Sequence, residues 1–162
     1  MKPSQYYSLI DEILGKSDTL ANVPRHQNTY QETLLEGAQE HLKEQGLVIC
    51  YYFHRTGPTT SARRGRVQAQ GMFTFAVVEN VAQHKAWTAA NPTITDFRSK
   101  TALEVAEELV GVLSSACELR GCGNSPDGPD FGEKVIERMG ADGGLVQFDV
   151  SLSVPVTMKP TS

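Results

Sequence analysis

The side chains with the clearest chemical potential are four arginines in one segment: Arg55, Arg63, Arg64 and Arg66. No acidic residue lies between Glu44 and Glu79, so nothing in the segment offsets their charge. A guanidinium group binds phosphate and carboxylate oxygens through paired hydrogen bonds. These four residues are therefore candidates for contact with phosphate or with another subunit. The alternative is a solvated arginine loop without a specific partner.

Acidic residues concentrate in the second part of the chain. Residues 1–101 carry 11 Lys and Arg against 9 Asp and Glu, whereas residues 102–162 carry 4 against 10. This bipolarity favours head-to-tail association of identical subunits, because each subunit presents one face of each sign. The candidates for the acidic partner face are four glutamates on a predicted helix: Glu104, Glu107, Glu108 and Glu118.

A nucleophile and a base for catalysis would have to come from Cys50 and His54, beside Tyr52. Four residues along a strand separate two side chains by about 13 Å, which is beyond hydrogen-bond reach. The sequence also lacks the phosphate-loop, dinucleotide-binding, zinc-protease, zinc-deaminase and serine-hydrolase motifs. We therefore expect no enzymatic activity and no cofactor.

The three cysteines do not form a metal-binding pattern. Cys117 and Cys122 have four residues between them, and no second Cys or His pair accompanies them. Cys50 stands in an apolar run, where it is expected to be a small buried hydrophobic residue. We expect no metal site.

The aromatic and basic residues from Tyr51 to Arg55 are reminiscent of the surfaces on which single-stranded nucleic acids stack. The run is apolar enough to belong to the core, so the arginines that follow it are better placed to meet phosphate. A small nucleic-acid-binding module that acts through these arginines is the alternative to a structural protein.

Three helices are predicted, over Ser4–Gly15, over Thr29–Gly46, and from Thr101 to an end at Gly121 and Gly123. The second and third open on capping boxes, in which a threonine and a glutamate three residues later satisfy each other's free amide groups. The apolar face of the third helix is predicted to contain Leu103, Ala106, Leu109, Val110, Leu113 and Ala116.

Four strands are predicted, over Leu47–Phe53, Val67–Val78, Lys134–Met139 and Val146–Val156. The first two form a hairpin whose tip, Thr56–Gly65, reads as a long loop because it is rich in Gly, Pro, Thr and Ser. The last strand alternates between apolar and polar residues, as in a sheet covered on one side. Residues 80–100 show no single pattern.

The element order, α-α-β-β-α-β-β, predicts an α+β fold: one antiparallel sheet of about four strands with helices packed on one face. Residues 1–162 fit a single domain with a loose tail from about residue 158. Hydrophobic residues make up 40% and charged residues 21%, which excludes a disordered chain. No apolar run is long enough to cross a membrane, and no signal peptide is recognisable, so an intracellular soluble domain is expected.

This order of elements resembles the tail terminator, or tail completion, proteins of long-tailed bacteriophages and prophages. The resemblance is carried by the pattern of Leu47–Phe53, Val67–Val78, Thr101–Ala116 and Val146–Val156, about a third of the chain. Segments 17–28 and 121–132 have no counterpart in the pattern.

The resemblance implies a non-enzymatic protein that forms a homo-oligomeric ring, a hexamer in that family. Such a ring ends growth of the tail tube and docks to the head, so its partners would be tail-tube and head-tail connector proteins. DNA would pass through the channel without base-specific contacts. The protein would be found in the host cytoplasm during assembly and then in the virion tail.

Overall fold

The computed structural model describes residues 1–28, 36–119, 130–142 and 144–159 and contains both helices and strands. The α-helices in these ranges are α1 (Pro3–Lys16), α2 (Gln39–Glu44), α3 (Val81–Ala90) and α4 (Ala102–Ser115). The strands are β1 (Arg25–Asn28), β2 (Leu47–Arg63), β3 (Arg66–Asn80), β4 (Asp130–Asp142) and β5 (Leu145–Met158). Short 3₁₀ turns lie at Phe97–Ser99 and Cys117–Leu119.

The described strands form one sheet in the order β1-β2-β3-β5-β4. β1 is parallel to β2, and the other pairs are antiparallel. The prediction of an entirely antiparallel sheet of about four strands was wrong in this respect. β1 falls inside segment 17–28, and its four polar residues carry no strand pattern of their own. It is held by pairing with residues 49–52 of β2 and by a 2.7 Å hydrogen bond from the Gln27 amide to the Tyr51 hydroxyl.

The main core lies between one face of the sheet and helices α1 and α4. The alternation predicted for β5 is confirmed there, because its core-facing residues are fully buried: Val150, Leu152, Val154 and Val156. Aromatic rings of α1, β2 and β3 fill the rest of this main core. The ring centroids of Tyr6 and Phe73, for example, are 5.8 Å apart. The Tyr6 hydroxyl also donates to the Pro155 carbonyl at 2.6 Å, which joins α1 to β5.

A second, smaller core lies on the opposite face of the sheet. Ala38 and Leu42, at the start and within α2, pack there against buried residues of β2 and β3: Val48, Cys50, Ala76 and Val78. Helices therefore pack against both faces, which corrects the prediction of helices on one face. The burial predicted for Cys50 is confirmed.

Helix α4 begins as predicted, with reciprocal hydrogen bonds between Thr101 and Glu104. Its buried residues are Ala102, Val105, Ala106, Leu109 and Leu113. Leu103, predicted to be buried, is 42% exposed, so the apolar stripe is rotated slightly from the predicted one. The carboxylate of Glu79 at the end of β3 accepts a 2.7 Å hydrogen bond from the Ala102 amide, which joins this helix to the sheet.

The other helices differ from the prediction. Helix α1 is capped at Lys2 rather than Ser4, and the second predicted helix is observed over Gln39–Glu44, its predicted capping box lying outside the described residues. Helix α3 was not predicted, because His84 is its one buried residue. The two ring nitrogens of His84 lie 2.8 Å from the Gln45 carbonyl and 3.0 Å from the Lys100 carbonyl.

Strand β4 is longer than the predicted Lys134–Met139 and begins at Asp130. The predicted loop 121–132 therefore ends in this strand, and residues 121–129 of it lie outside the described residues.

Candidate functional site

Arg63, Arg64 and Arg66 lie at the tip of the β2–β3 hairpin, whereas Arg55 lies about 20 Å further along β2, and all four are exposed. Arg63 pairs with Arg66 across the hairpin, and Arg55 lies opposite Met72. No ion pair within the described ranges involves any of the four. The guanidinium groups are thus available to a partner of opposite charge.

The hairpin tip is a two-residue turn, and the prediction of a long loop at Thr56–Gly65 was wrong. Arg64 and Gly65 are its central residues and have φ angles of 45° and 78°. Two positive φ angles are the mark of a type I′ turn, whose twist matches that of the strands it joins. The arginines therefore stand on a sheet, where paired strands limit their positions, rather than on a mobile loop.

The outer edge of β2 has no described strand partner from Phe53 to Arg63, because β1 pairs only as far as Tyr52. The Tyr7 hydroxyl accepts the Phe53 amide at 2.6 Å and donates to the Asn28 carbonyl at 3.0 Å, closing the gap where β1 ends. Beyond it the register shifts three times before Ser61, and Pro58 removes one amide donor. Bulges and proline discourage addition of another strand. The arginine side chains, rather than the backbone groups of this edge, are therefore the groups available to bind another molecule.

The four candidate glutamates do not form one free acidic face. Glu104 is occupied by the N-terminal cap of α4, and Glu108 accepts the Thr19 hydroxyl at 2.9 Å. Glu118 lies 3.9 Å from the Lys16 ammonium group. Glu107 is exposed and has no ion pair with a described residue. It is the best placed of the four to meet another molecule.

An acidic pair that sequence reasoning did not identify lies on the open part of the second sheet face. Glu137 of β4 and Asp149 of β5 are direct cross-strand neighbours. Burial, and secondarily the charge of Glu137, raises the pKa of Asp149 above its ordinary value, although the amide of Gln147 donates to it at 2.8 Å. Like charges directly opposite each other destabilise a sheet, and the Lys134 ammonium group, 3.3 Å from the Glu137 carboxylate, offsets part of this charge.

Cys50 and His54, which were considered above as a nucleophile and a base, have different surroundings. Cys50 is fully buried beneath α2, whereas His54 is exposed at the first register shift of β2. Tyr52 lies between them, its ring 6.2 Å from that of His54, and burial raises the pKa of its hydroxyl. This arrangement does not join a thiol to a base.

An open cavity of about 500 Å³ near the hairpin tip is lined by Arg66 and by two further cationic side chains. Its lining residues are Met1, Lys2, Gln5, Arg66, Thr157 and Lys159. None of them is acidic. Sequence reasoning found Arg66 alone, because the two lysines stand near opposite ends of the sequence. The packing of α1 brings Lys2 to Arg66, and the pairing of β3 with β5 brings Lys159 there.

No group of three or more His, Cys, Asp or Glu side chains in the described part of the chain is arranged to hold a metal ion. Cys117 is exposed, and Cys122 lies outside the described residues. Within the same ranges, no helix is both long and apolar enough to span a lipid bilayer.

The sequence matches no protein-family model, and no curated protein matches it.

Proposed function

We propose that the protein is a non-enzymatic structural component of a phage or prophage tail, similar to a tail terminator, that assembles with copies of itself into a ring. The observation that supports this proposal most is the arginine-bearing end of the β2–β3 hairpin. Arg55 lies further along β2, opposite Met72, but the exposed guanidinium groups of Arg63, Arg64 and Arg66 lie at this end without an acidic partner in the described structure. Their mutual repulsion is relieved when an acidic surface of another molecule binds.

An identical subunit carries such acidic surfaces at positions away from the hairpin tip. Glu107 on α4 is one of them, and the Glu137–Asp149 pair, whose charge Lys134 offsets in part, is another. A contact between unlike surfaces of identical subunits is head-to-tail, and it closes into a ring when the rotation between subunits permits. A hexamer, and docking to tail-tube and head-tail connector proteins, follow from the family resemblance. So does the location, the host cytoplasm during assembly and the virion tail afterwards.

The experiment is the solution mass by light scattering over a range of protein and salt concentrations. A closed species near six times the 17.7 kDa of one chain supports the proposal. Replacing Arg63 and Arg64 by glutamate should reduce that mass, and high salt should act in the same direction. Lys85→Glu, an exposed charge reversal on α3, serves as the matched control. A monomer at every concentration, or an oligomer unaffected by the arginine replacements, contradicts the proposed contact.

The same arginines favour a second candidate, a small nucleic-acid-binding module that contacts backbone phosphates. Its affinity for DNA would fall steeply with salt, since each phosphate contact releases a bound counterion. Loss of one contact, as in Arg63→Gln, would reduce the slope of log affinity against log salt by about one. A salt-independent affinity would exclude this candidate.

A further inference from the structure

We propose that the cavity lined by Lys2, Arg66 and Lys159 binds a multiply charged phosphate group. The cavity has a volume of about 500 Å³, and its described lining residues include three cationic side chains and no acidic one. Within the described residues, none of the three cations has a carboxylate at ion-pair distance. This site does not depend on the proposed ring, because one subunit supplies all of it.

The backbone positions of the three cations are fixed by three different elements. Lys2 caps α1, where its amide donates to the Gln5 side chain at 2.8 Å and its carbonyl accepts the Gln5 amide at 3.0 Å. Arg66 begins β3 and is paired with Arg63. Lys159 directly follows β5, which is paired with β3 up to Val67 and Met158.

A further backbone hydrogen bond ties the wall formed by α1 to the sheet. The Thr157 amide donates to the Met1 carbonyl at 3.0 Å. The cavity is therefore a product of the folded backbone rather than of chance side-chain conformations.

Phosphate oxygens suit this set of donors better than a single carboxylate. Arg66 can donate two parallel hydrogen bonds, and the two ammonium groups add point charges around it. Gln5 and Thr157 add neutral donors on the same lining. The cavity has room for more than one phosphate group, so both a free polyphosphate and a stretch of nucleic-acid backbone fit it.

The test measures binding of pyrophosphate, and separately of a single-stranded oligonucleotide, by calorimetry at low ionic strength. We expect Arg66→Gln and Lys159→Gln each to weaken binding by about tenfold, in line with loss of one charge-assisted contact. Lys85→Gln is the matched control for Lys159→Gln, since it removes the same charge from an exposed lysine on α3, outside the lining, and it should change affinity less than about twofold. Thermal unfolding of each variant establishes that the fold is retained.

Saturable pyrophosphate binding with this pattern of losses supports a site for free polyphosphate. Oligonucleotide binding that shows the same pattern, and that pyrophosphate displaces, identifies the nucleic-acid backbone as the occupant. The proposal is overturned if neither ligand binds, or if Lys85→Gln weakens binding as much as Lys159→Gln. The second result would mean that general surface charge, rather than the cavity, attracts the ligand.

Discussion

Replacement of Gly46 by alanine should destabilise the protein more than the same change at Gly144 or Gly111. Gly46 joins α2 to β2 with a φ of 73°, and its carbonyl accepts the Asn80 amide at 2.8 Å. An added Cβ would lie 2.5 Å from the backbone nitrogen of His84 and 2.8 Å from its Cα. These are backbone atoms, so no side-chain rotation can relieve the contact.

The cost has two parts. A left-handed backbone costs about 1 kcal/mol for a residue with a Cβ. The steric overlap adds about 1–3 kcal/mol, as overpacking does elsewhere in well-packed interiors. We therefore expect Gly46→Ala to lower the free energy of unfolding by about 2–4 kcal/mol.

Two other glycines separate these contributions. Gly144 has a φ of 82°, but a Cβ there would meet nothing within 4 Å, so Gly144→Ala should cost about 1 kcal/mol. Gly111, inside α4, also has open space around an added Cβ. Gly111→Ala should stabilise the protein by about 0.5–1 kcal/mol through helix propensity.

Urea unfolding followed by circular dichroism measures all three variants against the parent protein. The expected order of stability is Gly111→Ala, parent, Gly144→Ala and Gly46→Ala, with unchanged dependence on urea concentration. If Gly46→Ala were as stable as Gly144→Ala, α3 would not approach Gly46 as closely as described, and the reasoning would be refuted.

Three further predictions concern the hairpin tip and two residues with raised pKa values. Arg64→Asn should stabilise the protein by up to about 1 kcal/mol in chemical denaturation, because asparagine tolerates positive φ, and a loss of stability would contradict the turn described. Asp149→Asn should raise the free energy of unfolding near pH 7 by a few tenths to about 1 kcal/mol, since it removes the repulsion with Glu137. The pKa of Asp149 is raised in the folded state, so below about pH 3 its carboxyl group is neutral both folded and unfolded, and the gain in stability should disappear. A gain that stayed constant across a pH series of unfolding curves would argue against this charge repulsion. Burial raises the pKa of Tyr51 to about 12, so stability should fall as pH rises from 10 towards 12, and ultraviolet titration of Tyr51→Phe should lack the most alkaline tyrosinate step.

The elements that the sequence predicts correctly are those whose signals are local. The capping box of α4 and the alternation along β5 depend on residues within one or two turns or strand repeats of each other. Elements held by distant contacts were missed. Strand β1 has no apolar pattern and exists through its pairing with β2, and α3 buries one side chain, His84.

The hairpin shows why a strong local signal can mislead. Gly57 and Pro58 are typical of a loop, but here they lie at a register shift on the outer edge of β2. A proline at an unpaired position removes no hydrogen bond from the ladder, so the strand continues past it. The turn itself uses Arg64 and Gly65, whereas asparagine followed by glycine is the usual signature.

The same contrast between local and distant signals applies to the candidate site. A cluster such as Arg63, Arg64 and Arg66 is visible because its members are neighbours in the sequence. The cavity at Arg66 could not be predicted, because Lys2 and Lys159 reach it only through the packing of α1 and the pairing of β5 with β3.

The position of β5 between β3 and β4 affects how the protein forms during translation. Strand β3 is synthesised long before β5, yet it pairs with β5 along residues 67–80. Until then the growing chain exposes the unpaired backbone edge of β3 and the apolar side of this strand, which carries Phe73, Phe75 and Val77. Strand pairs so distant in sequence form slowly, and an unpaired edge of this kind is prone to pair with other chains. We therefore expect expression yield and solubility to depend more on β5 than on any exposed part of the molecule.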